Sequence, residues 1–212
     1  NVVVHYGGSA TAAEGLCAEL RNRGVRAWPL QADLGDATQS EALLDEALRL
    51  AGPIQVLVNN ASIFEPGRLS EVSLEDVNRN TAINAWAPFV LGRAFARQGL
   101  EGRIVNLLDT RVAGYDFNHV GYILSKHMLA VLTRMTALEY APLVTVNAIA
   151  PGLILPPPGK DAAYLEALAG TVPLQRHGGA KDIVRTLLFL IESPFITGQT
   201  VFVDGGAHLQ GA

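Results

Sequence analysis

Residues 38–62 read TQSEALLDEALRLAGPIQVLVNNAS. The spacing predicts a helix from about Thr38 to Ala51, stopped by Gly52 and Pro53. A short apolar run, IQVLV, follows and ends in the small polar residues NNAS. A helix feeding a buried strand that closes on polar residues is one turn of an alternating α/β pattern. The same unit recurs on both sides. NVVVHY reads as a buried strand, and Thr11 with Glu14 reads as a T-x-x-E capping box for a helix running to about Arg23, which Gly24 stops. VRAWPLQADL is a second strand. Downstream, Ser73 and Asp76 open a long helix with Val77, Ile83, Ala87, Val90 and Ala94 among its apolar positions. RIVNLLD is a strand, Val120 to about Tyr140 a helix, TVNAIAPG a strand, Lys181 to Ile191 a helix and TVFVDGG a last strand.

Such alternation without repeats or low-complexity linkers implies a Rossmann-type, doubly wound parallel sheet in a single domain, taken as residues 1–212. Ligands of such sheets bind at the carboxyl ends of the strands. Those ends carry HYGGS, ADL, NNAS, LLD and APG, small or polar as a site requires. PGLILPPPGK (151–160) is the one irregular stretch. It suggests a substrate lid over about 151–180, stiffened by Pro156 to Pro158.

Composition narrows the partners. Apolar residues make up 49% of the 212 and charged residues 17%, which suits strands buried on both faces. A net charge of −4 without a basic stripe argues against nucleic acid. No apolar run approaches the ~20 residues of a membrane span, no signal peptide is visible, and a cytoplasmic protein is the expectation. Cys17 shares helical spacing with Ala13, Leu16 and Leu20 and reads as a reduced core thiol. The five histidines, His5, His119, His127, His177 and His208, show no ligand spacing, so no metal site is expected.

Tyr122 and Lys126 stand four apart on one predicted helix and share a face. A free phenol titrates near ~10, and a lysine ammonium beside it favours the phenolate, moving the tyrosine toward working pH. The same ammonium can hold a ribose hydroxyl. Alone, Y-x-x-x-K is more often a half-buried Tyr and a solvated Lys than a site. Its context is more specific: NNAS at a strand end, NAWAPF in the next helix, IVN with an acid thirteen residues before the Tyr, then APG and VDGG.

In that order these motifs resemble the short-chain dehydrogenase/reductase family over nearly the whole chain. The resemblance implies a nicotinamide-dependent oxidoreductase, usually a homotetramer. Tyr122 would be the general acid, and Lys126 would tune it and bind the nicotinamide ribose. Asn84 would hold a helix kink and a relay water. His5, Tyr6, Ser9, Asp33, Leu34, Asn60, Ala61, Ser62, Pro151 and Gly152 would line the cofactor. The family's glycine-rich T-G-x-x-x-G-x-G turn is not found in the 212 residues, and the expectation is a native protein that has this first βα unit ahead of residue 1.

The family pattern has serine where Asp109 stands. An ionised carboxylate cannot donate to a substrate carbonyl, and it raises rather than lowers the Tyr122 pKa. One branch, the pteridine reductases and dihydromonapterin reductases, resembles this chain more closely. It carries Asp there and an NNAS-x-F pattern whose Phe stacks the pterin. Phe64 falls at that place, and Ser62, Phe64, Asp109, Tyr122 and Leu153 would contact a pteridine-like small molecule. A carbonyl reductase for an acyl thioester or sugar ketone, and a cofactor-binding protein without turnover, are the alternatives. The strand His5-Tyr6-Gly7-Gly8-Ser9 ends without the acid that holds both ribose hydroxyls of NAD, so NADP(H) is the expected cofactor.

Overall fold

Apolar runs become strands here because helices cover them. The computed structural model describes residues 1–157 and 159–210. They fold as an α/β Rossmann-type domain in the order β1 (Val2–Tyr6), α1 (Ala10–Asn22), β2 (Ala27–Gln31), α2 (Ala37–Ala51), β3 (Val56–Asn59), α3 (Leu74–Thr81), α4 (Ala87–Ala96), β4 (Gly102–Leu107), α5 (Val120–Glu139), β5 (Val144–Pro151), α6 (Ala162–Leu168), α7 (Ala180–Glu192) and β6 (Thr200–Val203). Pro158, within the stretch expected to stiffen a lid, lies outside the described residues.

Strand pairing is parallel throughout the described sheets, as the alternation predicts. β3, β4, β5 and β6 pair in that order, with Asn59 opposite Asn106 and Ile149 opposite Val201. The alternation of β5 sorts the helices onto two faces. Ala148 and Ala150 pack with Leu129 of α5, whereas Ile149 packs with Ile183, Leu187 and Leu190 of α7. Val144 and Val146 share the α5 side, against Leu91 and Phe95 of α4. A buried polar chain fixes α5 over this sheet: Asn59 Nδ2 donates to Asn106 Oδ1 at 2.8 Å, and Asn106 Nδ2 to Thr133 Oγ1 at 2.9 Å. Each buried amide thereby finds a partner, without which it would cost about 1–3 kcal/mol.

β1 pairs with β2, and a cleft of about 830 Å3 lies between that pair and β3, lined by Val3, His5, Leu44, Val56, Asn59 and Leu91 among others. The structure departs from the sequence reading in two places. First, Thr11 and Glu14 do not cap α1. The helix begins at Ala10 with Ser9 as its N-cap and no side-chain cap bond, because Thr11 already lies inside the first turn. Second, the long helix opened by Ser73 is not α-helical throughout. Its capping box forms as expected, Ser73 with Asp76. Between α3 and α4, however, Ala82–Trp86 form a π-turn closed by Ala87 N–H to Ala82 O. The 151–180 region, expected as a lid, also contains α6, capped by Asp161.

Candidate active site

β4 delivers Asp109 to the sheet's carboxyl edge, and α5 delivers Tyr122 and Lys126 beside it. Asp109 is the N-cap of a short 3-10 turn, Thr110–Ala113. Its Oδ1 accepts the Arg111 N–H at 2.8 Å, which fixes the carboxylate's orientation. Its Oδ2 accepts the Tyr122 hydroxyl at 2.9 Å. The thirteen-residue spacing is therefore a direct hydrogen bond. Burial, followed by the Asp109 charge and its hydrogen bond, pushes the Tyr122 phenol far above its ordinary value. That is opposite to the downward shift expected from Lys126 alone, because the pair rule omits both burial and the acid.

Lys126 is buried under the Tyr122 ring, its Nζ 5.6 Å from the ring centroid, and it donates to the Leu107 carbonyl at 2.8 Å. Desolvation pushes it down to about 8, against the pull of Asp109. An ammonium has three donors, and among the described residues Leu107 O is its one protein acceptor. The site thus fits a ligand that brings hydroxyl oxygens to this point, as a ribose does.

The π-turn widens the helix at Asn84 and turns its fully buried amide toward the loop after β3. Asn84 Oδ1 accepts from Ile63 N at 2.8 Å and Ser62 Oγ at 3.0 Å. Its Nδ2 donates to Ile63 O and to Ser125 Oγ, each at 3.0 Å. Ser125 in turn donates to Tyr122 O at 2.6 Å. One amide therefore joins the Ser62–Phe64 loop to the helix of Tyr122. Phe64, at the end of that loop, stands edge-on to Tyr122 with ring centroids 4.7 Å apart.

His5, Tyr6, Ser9, Leu34, Asn60, Ala61 and Ser62 line the wall of the cleft between the two sheets. Asp33 is not among its lining residues. Its Oδ1 accepts the Gly35 N–H at 2.8 Å, and the residue is exposed beside the cleft residue Leu34. Pro151 and Gly152 rest against the end of β6 through Gly152 N–H to Val203 O, and Leu153 O accepts from Gly178 N.

Three further side chains at the site were missed in the sequence. Asp116 Oδ2 binds His119 Nδ1 at 2.9 Å and Arg111 Nη1 at 3.3 Å. His119 stacks on Phe64 at 4.1 Å, and the Arg111 guanidinium lies 5.2 Å from the same ring. Burial pushes Asp116 up, but the Asn118 N–H, the His119 side chain and Arg111 hold it below the usual carboxylate range. The only signal was the crowding of charged residues between Asp109 and Tyr122, which matches no motif spacing.

Comparisons with known proteins place the chain in a family. A family model described as Enoyl-(Acyl carrier protein) reductase matches residues 1–208. The short chain dehydrogenase/reductase AacuN of Aspergillus aculeatus is 32% identical, over 98% of this chain and 86% of that protein. The chain belongs to the short-chain dehydrogenase/reductase family. Within that family, the 3-oxoacyl-[acyl-carrier-protein] reductase FabG of Staphylococcus aureus is 31% identical, over 99% of this chain and 88% of its own. A solved structure, FolM alternative dihydrofolate reductase 1 from Brucella canis complexed with NADP, superposes with a TM-score of 0.90 at 33% identity. It covers 98% of this chain and 84% of the FolM chain. As a short-chain dehydrogenase/reductase the chain is an oxidoreductase by class.

Proposed function

We propose that the chain is an NADPH-dependent reductase of a flat, pteridine-type ring, with Tyr122 giving the proton to a ring nitrogen. The observation that carries this reading is the 2.9 Å bond from Tyr122 to Asp109. A ketone oxygen wants a second donor beside the tyrosine, and an ionised carboxylate has none to give. Asp109 instead keeps the phenol protonated, and Phe64 offers a ring on which a planar substrate stacks. The likeness to a protein named an alternative dihydrofolate reductase supports the same substrate class.

Bound NADPH supplies the hydride to ring carbon. Lys126 would hold the nicotinamide ribose, Asn60 and Ala61 the adenosine side, Asp33 and Leu34 the adenine, and Pro151 and Gly152 the nicotinamide. The acid-free end of β1 leaves room for a 2′-phosphate at Ser9. Asp109 orients the Tyr122 hydroxyl and passes it protons from solvent. Asn84 holds the Ser62–Phe64 loop that faces the substrate, and residues 151–180 serve as a lid.

The test is NADPH oxidation with a dihydropteridine beside a panel of activated ketones. Turnover of the dihydropteridine is expected. A protein active on ketones and inert toward every dihydropteridine overturns the reading in favour of a carbonyl reductase, which the likeness to 3-oxoacyl-[acyl-carrier-protein] reductases supports.

The buried lysine adds a pH dependence. Lys126 is cationic below about 8 and neutral above it, and only the cation carries full donor strength toward the ribose. In the free enzyme kcat/KM for NADPH is expected to fall tenfold per unit as pH rises past that value, and Lys126→Met should flatten the profile. A wild-type profile level across about three pH units centred there refutes the assignment.

A homotetramer completes the proposal. α5 exposes Leu124, Val131, Met135 and Leu138 along one side, and α7, on the opposite face of the sheet, exposes Val184, Leu188 and Phe189. Two different self-complementary faces generate a dihedral tetramer. A sedimentation mass of four chains is expected, and a monomer at micromolar concentration refutes it.

A further inference from the structure

Asp204 follows β6 and lies far in sequence from Asp109, yet its side chain reaches the turn that Asp109 begins. That side chain is only 2% exposed. Its Oδ2 accepts the Thr110 hydroxyl at 2.5 Å, the His208 N–H at 2.8 Å and His208 Nδ1 at 2.8 Å, and Oδ1 accepts the Gly206 N–H at 2.9 Å. Thr110 is the residue directly after Asp109. The strand end of β5 rests on the same group, because a Cβ added at Gly152 would lie 2.5 Å from Asp204 Cβ. His208 is braced in turn by stacking on Phe202 at 4.1 Å. One residue thus meets the ends of β4, β5 and β6, its carboxylate at Thr110 and its Cβ at Gly152. Burial pushes this carboxyl up, but the hydrogen bonds from Thr110, His208 and Gly206 outweigh it and keep Asp204 below the usual carboxylate range. It therefore stays an acceptor for all four donors.

We propose that Asp204 is a positioning residue for the reaction, setting the place of the Asp109 carboxylate through the Thr110 hydroxyl. Capping the 204–210 turn needs only the bonds to Gly206 and His208. The bond to Thr110 contributes nothing to that turn. It fixes the first residue of the Thr110–Ala113 turn, whose N-cap is Asp109, while the opposite oxygen of Asp109 holds Tyr122. Consecutive residues of this segment are consequently tied to three parts of the chain: Asp109 to Tyr122, Thr110 to Asp204 and Arg111 to Asp116. Loss of the middle tie would free the Asp109 carboxylate to shift relative to the phenol, and a displacement near 1 Å at a reacting group costs on the order of a hundredfold in rate.

The inference rests on the reading of Asp109 as an active-site acid, and the experiment separates the two. Thr110→Val keeps the shape and removes the hydroxyl; Thr110→Ser restores it. With NADPH and the best substrate of the wild type, Thr110→Val is expected to lower kcat roughly ten- to a hundredfold. NADPH affinity and thermal midpoint should stay near wild type, and Thr110→Ser should recover most of the rate. Asp204→Asn serves as the second variant and should lower kcat in the same direction. Added to Asp109→Asn, the Thr110→Val change should cost nothing more, because the group it positions is already gone. If Asp109→Asn is crippled while Thr110→Val keeps kcat within twofold, the positioning role is overturned and the acid stands. If Asp109→Asn itself retains full kcat, the reading of the acid fails, and the positioning role fails with it.

Discussion

Tyr122→Phe is expected to lower kcat by about 10²–10⁴-fold, the usual contribution of a positioned acid, while NADPH binds as before. The phenyl ring keeps its packing against Phe64 and over Lys126, so the site retains its shape. What disappears is the hydroxyl, and with it the proton that it donates to Asp109 in the free site. The lost hydrogen bond should cost stability only about 1 kcal/mol, too little to confuse with a catalytic effect. Steady-state rates paired with a fluorescence titration of NADPH separate the two. A variant that keeps more than a tenth of wild-type kcat would show that another group delivers the proton.

Asp109→Ser is expected to exchange substrate preference. Serine is itself a good N-cap, so the Thr110–Ala113 turn should survive and thermal stability should change little. The new hydroxyl can donate to a ketone oxygen, as the carboxylate cannot. Removing the negative charge also frees Tyr122 from its second-largest upward influence, burial remaining the first. Pteridine turnover should therefore fall by roughly a hundredfold, the loss of one acid–base partner, and ketone turnover should rise. A ketone reductase that merely tolerates Asp109 gives a different pattern, with faster ketone reduction and no pteridine activity in either form. The measurement is kcat/KM for one dihydropteridine and one activated ketone in both proteins.

How far these expectations were legible in the sequence depends on the range of each interaction. Strands β3 to β6 and the helices between them were readable because each obeys a local rule, such as the Gly52–Pro53 stop after α2 or the Ser73–Asp76 capping box. The pair Asp109 and Tyr122 was readable through the family resemblance, in which the residue thirteen before the tyrosine belongs to the site. The π-turn left no trace in local propensity, which one extra residue in a turn does not alter, and only the family resemblance implied a helix kink at Asn84. The upward shift of Tyr122 was foreseen for Asp109 but not for burial, a property of packing. Asp204 reaches Thr110 from ninety-four residues away, and Asp116 bears on the site only because its local partners His119 and Arg111 pack on Phe64, which no spacing encodes.

The π-turn also bears on how this protein tolerates length change. A π-turn holds one residue more than the α-helical turn it replaces, so deleting one residue from Ala82–Trp86 would let the segment close as ordinary α-helix with α3 and α4 near their present orientation. The approach of α3 to Gly121, where an added Cβ already meets Asn80 Nδ2 at 3.0 Å and Asp76 O at 3.1 Å, would survive. What a single-codon deletion there takes away is the bulge that turns Asn84 toward Ile63 and Ser125, so the site would lose its link while the fold keeps its helices.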